Sequence, residues 1–181
     1  EGSQRRTAEL TSMYLGPYAK DVFASNTGNN NESVKQEQFD KNNGFRQLVE
    51  SLSRDRVVGL IQGRMEFGPR ALCNRSIIYK TSDATINDWL NKRMNRTEFM
   101  PFAPVLRKER ATEVMKDYDP NDVTLSFMTS TVDCTEEFAR KHQAVVHVDG
   151  TARPQIVTKS SNPFIWGVLR EWEKISGELA L

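Results

Sequence analysis

Apolar residues at Phe45, Leu48, Val49 and Leu52 follow the i, i+3, i+4, i+7 spacing of one helical face and predict a helix over about 39–53. The short apolar run from Val57 to Ile61, bounded by charges and Gly, predicts a buried strand. A Gly- and Pro-punctuated stretch, 62–75, separates it from a second strand at Ser76–Tyr79. Asp83 is placed to cap a helix running to about Asn95, with Ile86, Trp89, Leu90 and Met94 on one side. Pro101 and Pro104 bracket Phe102-Ala103 and suggest an edge strand or extended segment. Residues 107–118 read as a charged surface helix, and Leu125–Met128 and Ala144–Val148 as strands. Asn162-Pro163 is a helix start, continued at helical spacing by Phe164, Ile165, Val168, Leu169, Trp172 and Ile175 and closed by Gly177. Leu179-Ala180-Leu181 reads as the opening of a further strand, cut off at the end of the chain. At the other end, residues 1–12 look like a polar tether, Leu15–Tyr18 like a turn, and 25–38 like an Asn-rich loop. No internal repeat is visible. Strands alternate with helices, so the expected class is α/β.

Composition narrows the picture. With 181 residues and 38% hydrophobic content, the chain can bury one full core, as one domain or one with appendages. No apolar run approaches the length of a membrane span, and the N-terminal residues carry no apolar signal segment. Cys73 and Cys134 have no CxxC partner and no zinc-type His spacing, so they read as two reduced, buried thiols of a cytosolic protein. The balance of 25 basic and 24 acidic residues argues against a chain built wholesale for nucleic acid. That total hides an asymmetry: residues 1–53 carry net −1, residues 54–110 net +6, and residues 111–181 net −4. A cationic middle third fits a site for a small anion, and it also fits a solvated basic face.

The most informative segment is QGRMEFGPRALCNRS, residues 62–76. It follows a predicted strand, and Gly63 and Gly68 let a ligand approach the backbone. Arg64, Arg70 and Arg75 offer forked donors that match phosphate or carboxylate oxygens, and Asn74 and Ser76 add neutral donors. The segment is neither a Walker A loop nor a GxGxxG turn. The alternative is a surface turn whose arginines pair with acids. Lys92, Arg93 and Arg96 end the Trp89 helix, either as a second cationic wall or as charges that suit a helix C-terminus. In HVDGTAR, 147–153, Asp149 could hold a metal, hydroxyl or amine and Arg153 a phosphate; the alternatives are an ordinary turn aspartate and a packed His147. The Phe/Trp stripe at 164–172 reads as core.

These segments resemble the C-terminal domain of the O-carbamoyltransferases of the nodulation-factor and antibiotic-tailoring type. The likeness lies in QGRMEFGPRALCNRSI (62–77), MPFAPV (100–105), HVDGTARPQIV (147–157) and the NP-led helix (162–177), with LGPY (15–18) similar to the segment just before that domain. The resemblance covers 15–181, leaving 1–14 as a linker from a missing N-terminal domain. It implies truncation at the C-terminal end, where the family continues with an Asn-Thr-Ser-Phe-Asn segment. Cys73 stands where the family typically has Gly. The family's lysine before the Arg96 position has no direct counterpart, since Met94 and Asn95 occupy that neighbourhood and Lys92 lies just upstream.

What the resemblance implies is a YrdC-like α/β fold, a twisted and largely open mixed sheet flanked by helices. Such a domain would bind carbamoyl phosphate and ATP, with Mg²⁺ accompanying the nucleotide. It would form carbamoyl adenylate for transfer to a hydroxyl acceptor. An N-terminal actin-like domain of the same polypeptide would carry the acceptor site and its own metal. Arg64, Arg70 and Arg75 would be the catalytic cations; Asn74, Ser76, Lys92, Arg96, Asp149 and Arg153 would bind substrate or nucleotide. No metal ligand is assigned within this chain, and the expected setting is cytoplasmic, without a membrane. The competing expectations are an RNA- or nucleotide-binding module of the same fold without catalysis, and a purely structural domain.

Overall fold

A computed structural model describes residues 12–19, 44–96 and 101–181. Most of the expected tether, the Asn-rich loop, the first turn of the 39–53 helix and Met100 lie outside the described residues. Helix α1 spans Gly44–Ser53, strand β1 Val58–Ile61, strand β2 Arg75–Ile78 and helix α2 Thr85–Arg93. Strand β3, Val105–Arg107, runs into a 3-10 turn at Lys108–Arg110 and the short helix α3, Ala111–Val114. A second 3-10 turn, Val123–Phe127, precedes β4 (Val132–Asp133), α4 (Glu136–Lys141), β5 (Thr151–Ala152), β6 (Gln155–Val157) and helix α5 (Pro163–Ser176).

Among the described residues the strands form three two-stranded ladders and no closed barrel. β1 and β2 are antiparallel, with Val58 opposite Ile78 and Ile61 opposite Arg75. β3 and β6 are parallel, with Leu106 opposite Ile156. Leu181 exchanges both main-chain hydrogen bonds with Val105, at 2.8 and 3.1 Å, so residues 180–181 extend the pairing. β4 and β5 form the third, antiparallel ladder.

The β3 layer divides the interior in two. Side chains alternate across a strand. Val105, Val157 and Leu181 therefore join Leu48, Leu52, Leu60, Ile165 and Trp172 in one core, where α1 packs on α5. Their neighbours Leu106, Ile156 and Ala180 join Val114, Leu125, Phe138 and Val145 in the other. A mixed arrangement of helices and short strands results, compatible with an α/β class.

Helix α5 starts and stops as its sequence dictates. The Asn162 side chain accepts from the Ile165 N–H, Pro163 occupies the first turn, and Gly177 closes the helix at φ +75°. Its Val168, Leu169 and Trp172 are buried while Ile175 is exposed. Asp83 accepts from the Thr85 N–H and hydroxyl, which pins the start of α2, although Ala84 stands at the helix boundary.

Several expectations are corrected. Residues 107–118 are not one surface helix: strand, 3-10 turn and four helical residues succeed one another, and Ala111, Val114 and Met115 are fully packed. The charges of this stretch find remote partners, Arg107 and Arg110 both pairing with Glu173 of α5. Leu125–Met128 is a 3-10 turn rather than a strand, capped by the Asp122 side chain and ended by Met128 in the left-handed region. Ala144–Val148 has no strand partner; it is a turn-rich passage whose Ala144 and Val145 still reach the core. Trp89 does not share the buried side of α2 with Leu90: it is 52% exposed, with the Arg93 guanidinium 5.8 Å from its ring centre. Of the two alternatives for Pro101–Pro104, the structure has the extended segment, which leads into β3 at Val105.

Candidate functional site

The long connection between β1 and β2, residues 62–74, is held by a carboxylate of its own. Glu66 is only 7% exposed, and its Oε1 accepts from the main-chain N–H groups of Leu72 (2.7 Å), Asn74 (2.7 Å) and Arg75 (3.0 Å). Three charge-assisted bonds on one oxygen turn the loop back toward β2. Gln62 N–H to Asn74 carbonyl, 3.0 Å, closes its base. Gly63 at φ +48° and Cys73 at φ +71° take the left-handed conformations this reversal needs. The second is a position where glycine would be unstrained.

A second strand-like segment lies along this loop. Gly16 N–H donates to the Met65 carbonyl, Met65 N–H to the Pro17 carbonyl and Ala19 N–H to the Gly63 carbonyl, each at 2.9 Å. The Leu15–Tyr18 "turn" is therefore a pairing partner of the loop. Tyr14 also reaches in, donating its hydroxyl to the Leu72 carbonyl at 2.7 Å; burial raises its pKa to about 12.

The three arginines are held differently. Arg64 donates Nε and Nη2 to the carbonyls of Gly16 and Leu15, at 2.9 and 2.7 Å, beside the Tyr18 ring. Arg75 donates Nη1 to the carbonyls of Gln62 and, at 2.8 Å, Asn74. Arg70 is half-buried and makes no hydrogen bond within the described structure. None of the three pairs with a carboxylate among the described residues, whereas Arg54, Lys80, Arg107, Arg110, Lys141 and Lys174 all do. Among the described residues, the arginines of this loop are not satisfied by acids.

Arg75 and Ser76 line a cavity of about 330 Å³ between β2 and α2. Its walls are mostly apolar, with Ile77, Leu90, Met94 and Phe102 among them. Asn87 and Gln155 are polar points on the lining, and the buried Asn87 Oδ1 has no hydrogen-bond partner. A cavity of this size with few polar groups suits a small molecule.

The remaining residues singled out from the sequence separate into two groups. Asn74 belongs to the loop, donating its side-chain N–H to the Arg64 carbonyl at 2.8 Å; Ser76 Oγ accepts from the Cys73 N–H at 2.9 Å. Arg96 stacks on the cavity residue Phe102, 5.1 Å from the ring centre. Lys92 is exposed on α2 and does not line the cavity, nor do Arg64, Arg70, Asp149 and Arg153. Asp149 is a turn residue accepting from the Thr151 N–H and hydroxyl, and that hydroxyl holds its carboxyl below the usual range. His147 is tied to the same threonine, its Nδ1 at 2.8 Å from the hydroxyl oxygen. Arg153 carries a buried Nε with no partner. Among the described residues no three His, Cys, Asp or Glu side chains gather as a metal site.

Sequence reasoning did not single out Glu66, Gln62, Tyr14 or, beyond its cap, Asn162. Their contribution runs through main-chain atoms and remote side chains, which leave no local pattern.

The family described as Carbamoyltransferase C-terminus matches residues 49–181, a range holding every site residue expected from the sequence, though not the 14–18 segment paired with the loop. The chain belongs to this carbamoyltransferase C-terminal family. Nodulation protein NolO of Bradyrhizobium diazoefficiens is 40% identical over 119 residues, covering 65% of this chain and 22% of that protein. The 3'-hydroxymethylcephem-O-carbamoyltransferase of Amycolatopsis lactamdurans is 38% identical over 117 residues, 65% of this chain and 21% of that protein. An uncharacterised protein of Methanocaldococcus jannaschii is 36% identical over 131 residues, 71% of this chain and 21% of that protein. The chain thus spans about a fifth of the length of the curated relatives it matches. The carbamoyltransferase C-terminal domain described here has no helix long and apolar enough to cross a membrane among its described residues.

Proposed function

We propose that this domain is the donor-activating part of an O-carbamoyltransferase, taking carbamoyl phosphate and ATP and forming carbamoyl adenylate. The observation that carries the reading is the loop of Arg64, Arg70 and Arg75, unpaired with any carboxylate among the described residues, whose Arg75 and Ser76 open onto the cavity. Two polyanions must approach each other for this chemistry, so fixed cations aimed at their oxygens lower the barrier by positioning and charge stabilisation. Water frees the carbamoyl oxygen from its phosphate, that oxygen bonds to the α-phosphorus, and pyrophosphate leaves. Mg²⁺ would accompany the triphosphate, as it does for nucleotide substrates generally. Arg64, Arg70 and Arg75 act on the phosphates; Asn74, Ser76, Lys92, Arg96, Asp149 and Arg153 complete the binding surface. The carbamoyl group then passes to a hydroxyl acceptor held by the actin-like remainder of a longer polypeptide, which carries its own metal. A YrdC-like open sheet is the fold this reading expects, and the buried free thiols suit a cytoplasmic setting.

Isothermal titration with carbamoyl phosphate, with and without ATP–Mg²⁺, tests this. Saturable binding lost in Arg70→Ala is expected. Absence of binding both by this folded chain and by the polypeptide extended to the length of its relatives overturns it. A second reading, an RNA-binding module without catalysis, is favoured by exposed aromatics beside cations, Trp89 with Arg93 and Tyr18 with Arg64. RNA affinity falling steeply with salt marks that alternative.

A further inference from the structure

We infer that Asn162, the residue capping α5, is a positioning residue for Arg75. This rests on the reading of Arg75 as an anion-binding group. The two carbonyls that hold the Arg75 Nη1 belong to Gln62 and Asn74. The side chains of those same two residues meet on Asn162: Gln62 Nε2 donates to Asn162 Oδ1 at 3.3 Å, and Asn162 Nδ2 donates to Asn74 Oδ1 at 3.2 Å. Asn162 is 4% exposed, so both contacts are sheltered from water. Its Nδ2 also donates to the Tyr14 hydroxyl at 3.3 Å, and its Oδ1 accepts from the Ile165 N–H at 3.2 Å.

One carboxamide therefore closes two rings that share the Arg75 guanidinium, one through Gln62 and one through Asn74. Its oxygen has a structural duty at the helix start, which any good capping side chain fulfils. Its N–H₂ group has another, holding Asn74 and Tyr14 with two donors at a reach that the single, shorter O–H of a capping serine does not match. Without that second duty the loop can shift against α5, and the guanidinium loses the fixed direction that makes its forked donors effective. The cap and the hold on Asn74 are chemically separable, while the Gln62 contact shares the capping oxygen.

The experiment compares the wild type with Asn162→Ser, which keeps a capping oxygen and replaces the two N–H donors by one shorter O–H that no longer reaches Asn74. Gln62→Met, which keeps the main-chain acceptor and removes the carboxamide with its bonds to Asn162 and to the Cys73 carbonyl, provides a second route should Asn162→Ser fail to fold. Two readouts are taken on each folded protein: the ¹⁵N-resolved Arg75 guanidinium signals, assigned by their loss in Arg75→Lys, and the affinity for carbamoyl phosphate. The wild type is expected to show separate, slowly exchanging Arg75 Nη signals, which merge in both variants. Affinity is expected to fall about tenfold while the melting temperature stays close to that of the wild type. Arg75 signals unchanged in a folded variant, or merged signals with unchanged affinity, overturn the inference. Merged signals in a protein whose wild type binds no carbamoyl phosphate support the positioning of Arg75 and fault the ligand reading alone.

Discussion

The Cys73 thiol lies 3.2 Å from the Gln155 carboxamide oxygen and donates to it, joining the arginine loop to the start of β6. Gln155 also donates its Nε2 to the Leu72 carbonyl at 3.3 Å, so a single side chain holds both residues before the loop closes. Cys73 does this at φ +71°, a backbone region that costs a residue with a Cβ about 1 kcal/mol or more. Cys73→Gly relieves that cost and Cys73→Ala does not. Urea unfolding is therefore expected to find Cys73→Gly the more stable of the two by about 1 kcal/mol, the reverse of the usual order for Gly and Ala. Burial pushes the Cys73 thiol far up and the Cys134 thiol up to about 11, so neither reacts with a thiol reagent at pH 8 until the chain unfolds.

Glu66 is the keystone of the loop. Glu66→Ala leaves the N–H groups of Leu72, Asn74 and Arg75 without their acceptor and is expected to cost about 3 kcal/mol in a denaturant titration. Glu66→Gln retains an oxygen in the same place and is expected to recover part of that loss. Equal stabilities for the two variants contradict the assignment of the three bonds to one oxygen.

Arg64 and Arg70 part company under mutation. Arg64 ties down the carbonyls of Leu15 and Gly16, so Arg64→Ala releases the 12–19 segment and speeds amide exchange along it. Arg70 has no such bond, and Arg70→Ala is expected to change stability by no more than about 0.5 kcal/mol. Its loss of carbamoyl phosphate affinity, tenfold or more for one charge-assisted contact, then reports on the ligand alone. Calorimetric binding read beside exchange rates separates the two residues.

His142 makes the fold sensitive to acid. It stacks on Phe138 with ring centres 4.3 Å apart, and its Nδ1 sits 2.6 Å from the Thr81 hydroxyl in the second core. Burial lowers its pKa below the ordinary value of 6.5, with Glu178 opposing and Lys141 assisting. The unfolded chain binds the proton first, so the stabilisation is complete above about pH 6.5 and is lost progressively below it. The melting temperature is expected to fall from pH 7 to pH 5, and His142→Asn, which cannot titrate, is expected to flatten that slope. The carboxyls of Glu171 and Glu173, held low by their cationic neighbours, contribute losses only at more acidic pH.

Some of this molecule was written in short stretches of sequence. Helix α5 needed only Asn162-Pro163, a 3.6-residue apolar stripe and Gly177, all neighbours along the chain. α1, β1 and β2 followed the same local rules to within a residue or two where they are described, although of the strand expected to be buried only Leu60 is, and the 62–76 stretch showed itself as a Gly- and Arg-rich connection between strands. The stretches that went astray depend on remote partners. Residues 107–118 hold charges whose direction is set by Glu173, more than sixty residues away. Leu125 and Val145 are apolar because they reach a core, not because they pair in a sheet. The resemblance noted that Cys73 replaces a glycine, but its left-handed backbone appears only once Glu66 turns the loop. Tertiary structure alone decided which arginine is anchored and which is free. Arg64 is held by carbonyls about fifty residues away on the paired 15–18 segment, Arg75 by carbonyls at the two ends of its own loop, and Arg70 by none among the described residues; only the folded chain brings those acceptors into reach.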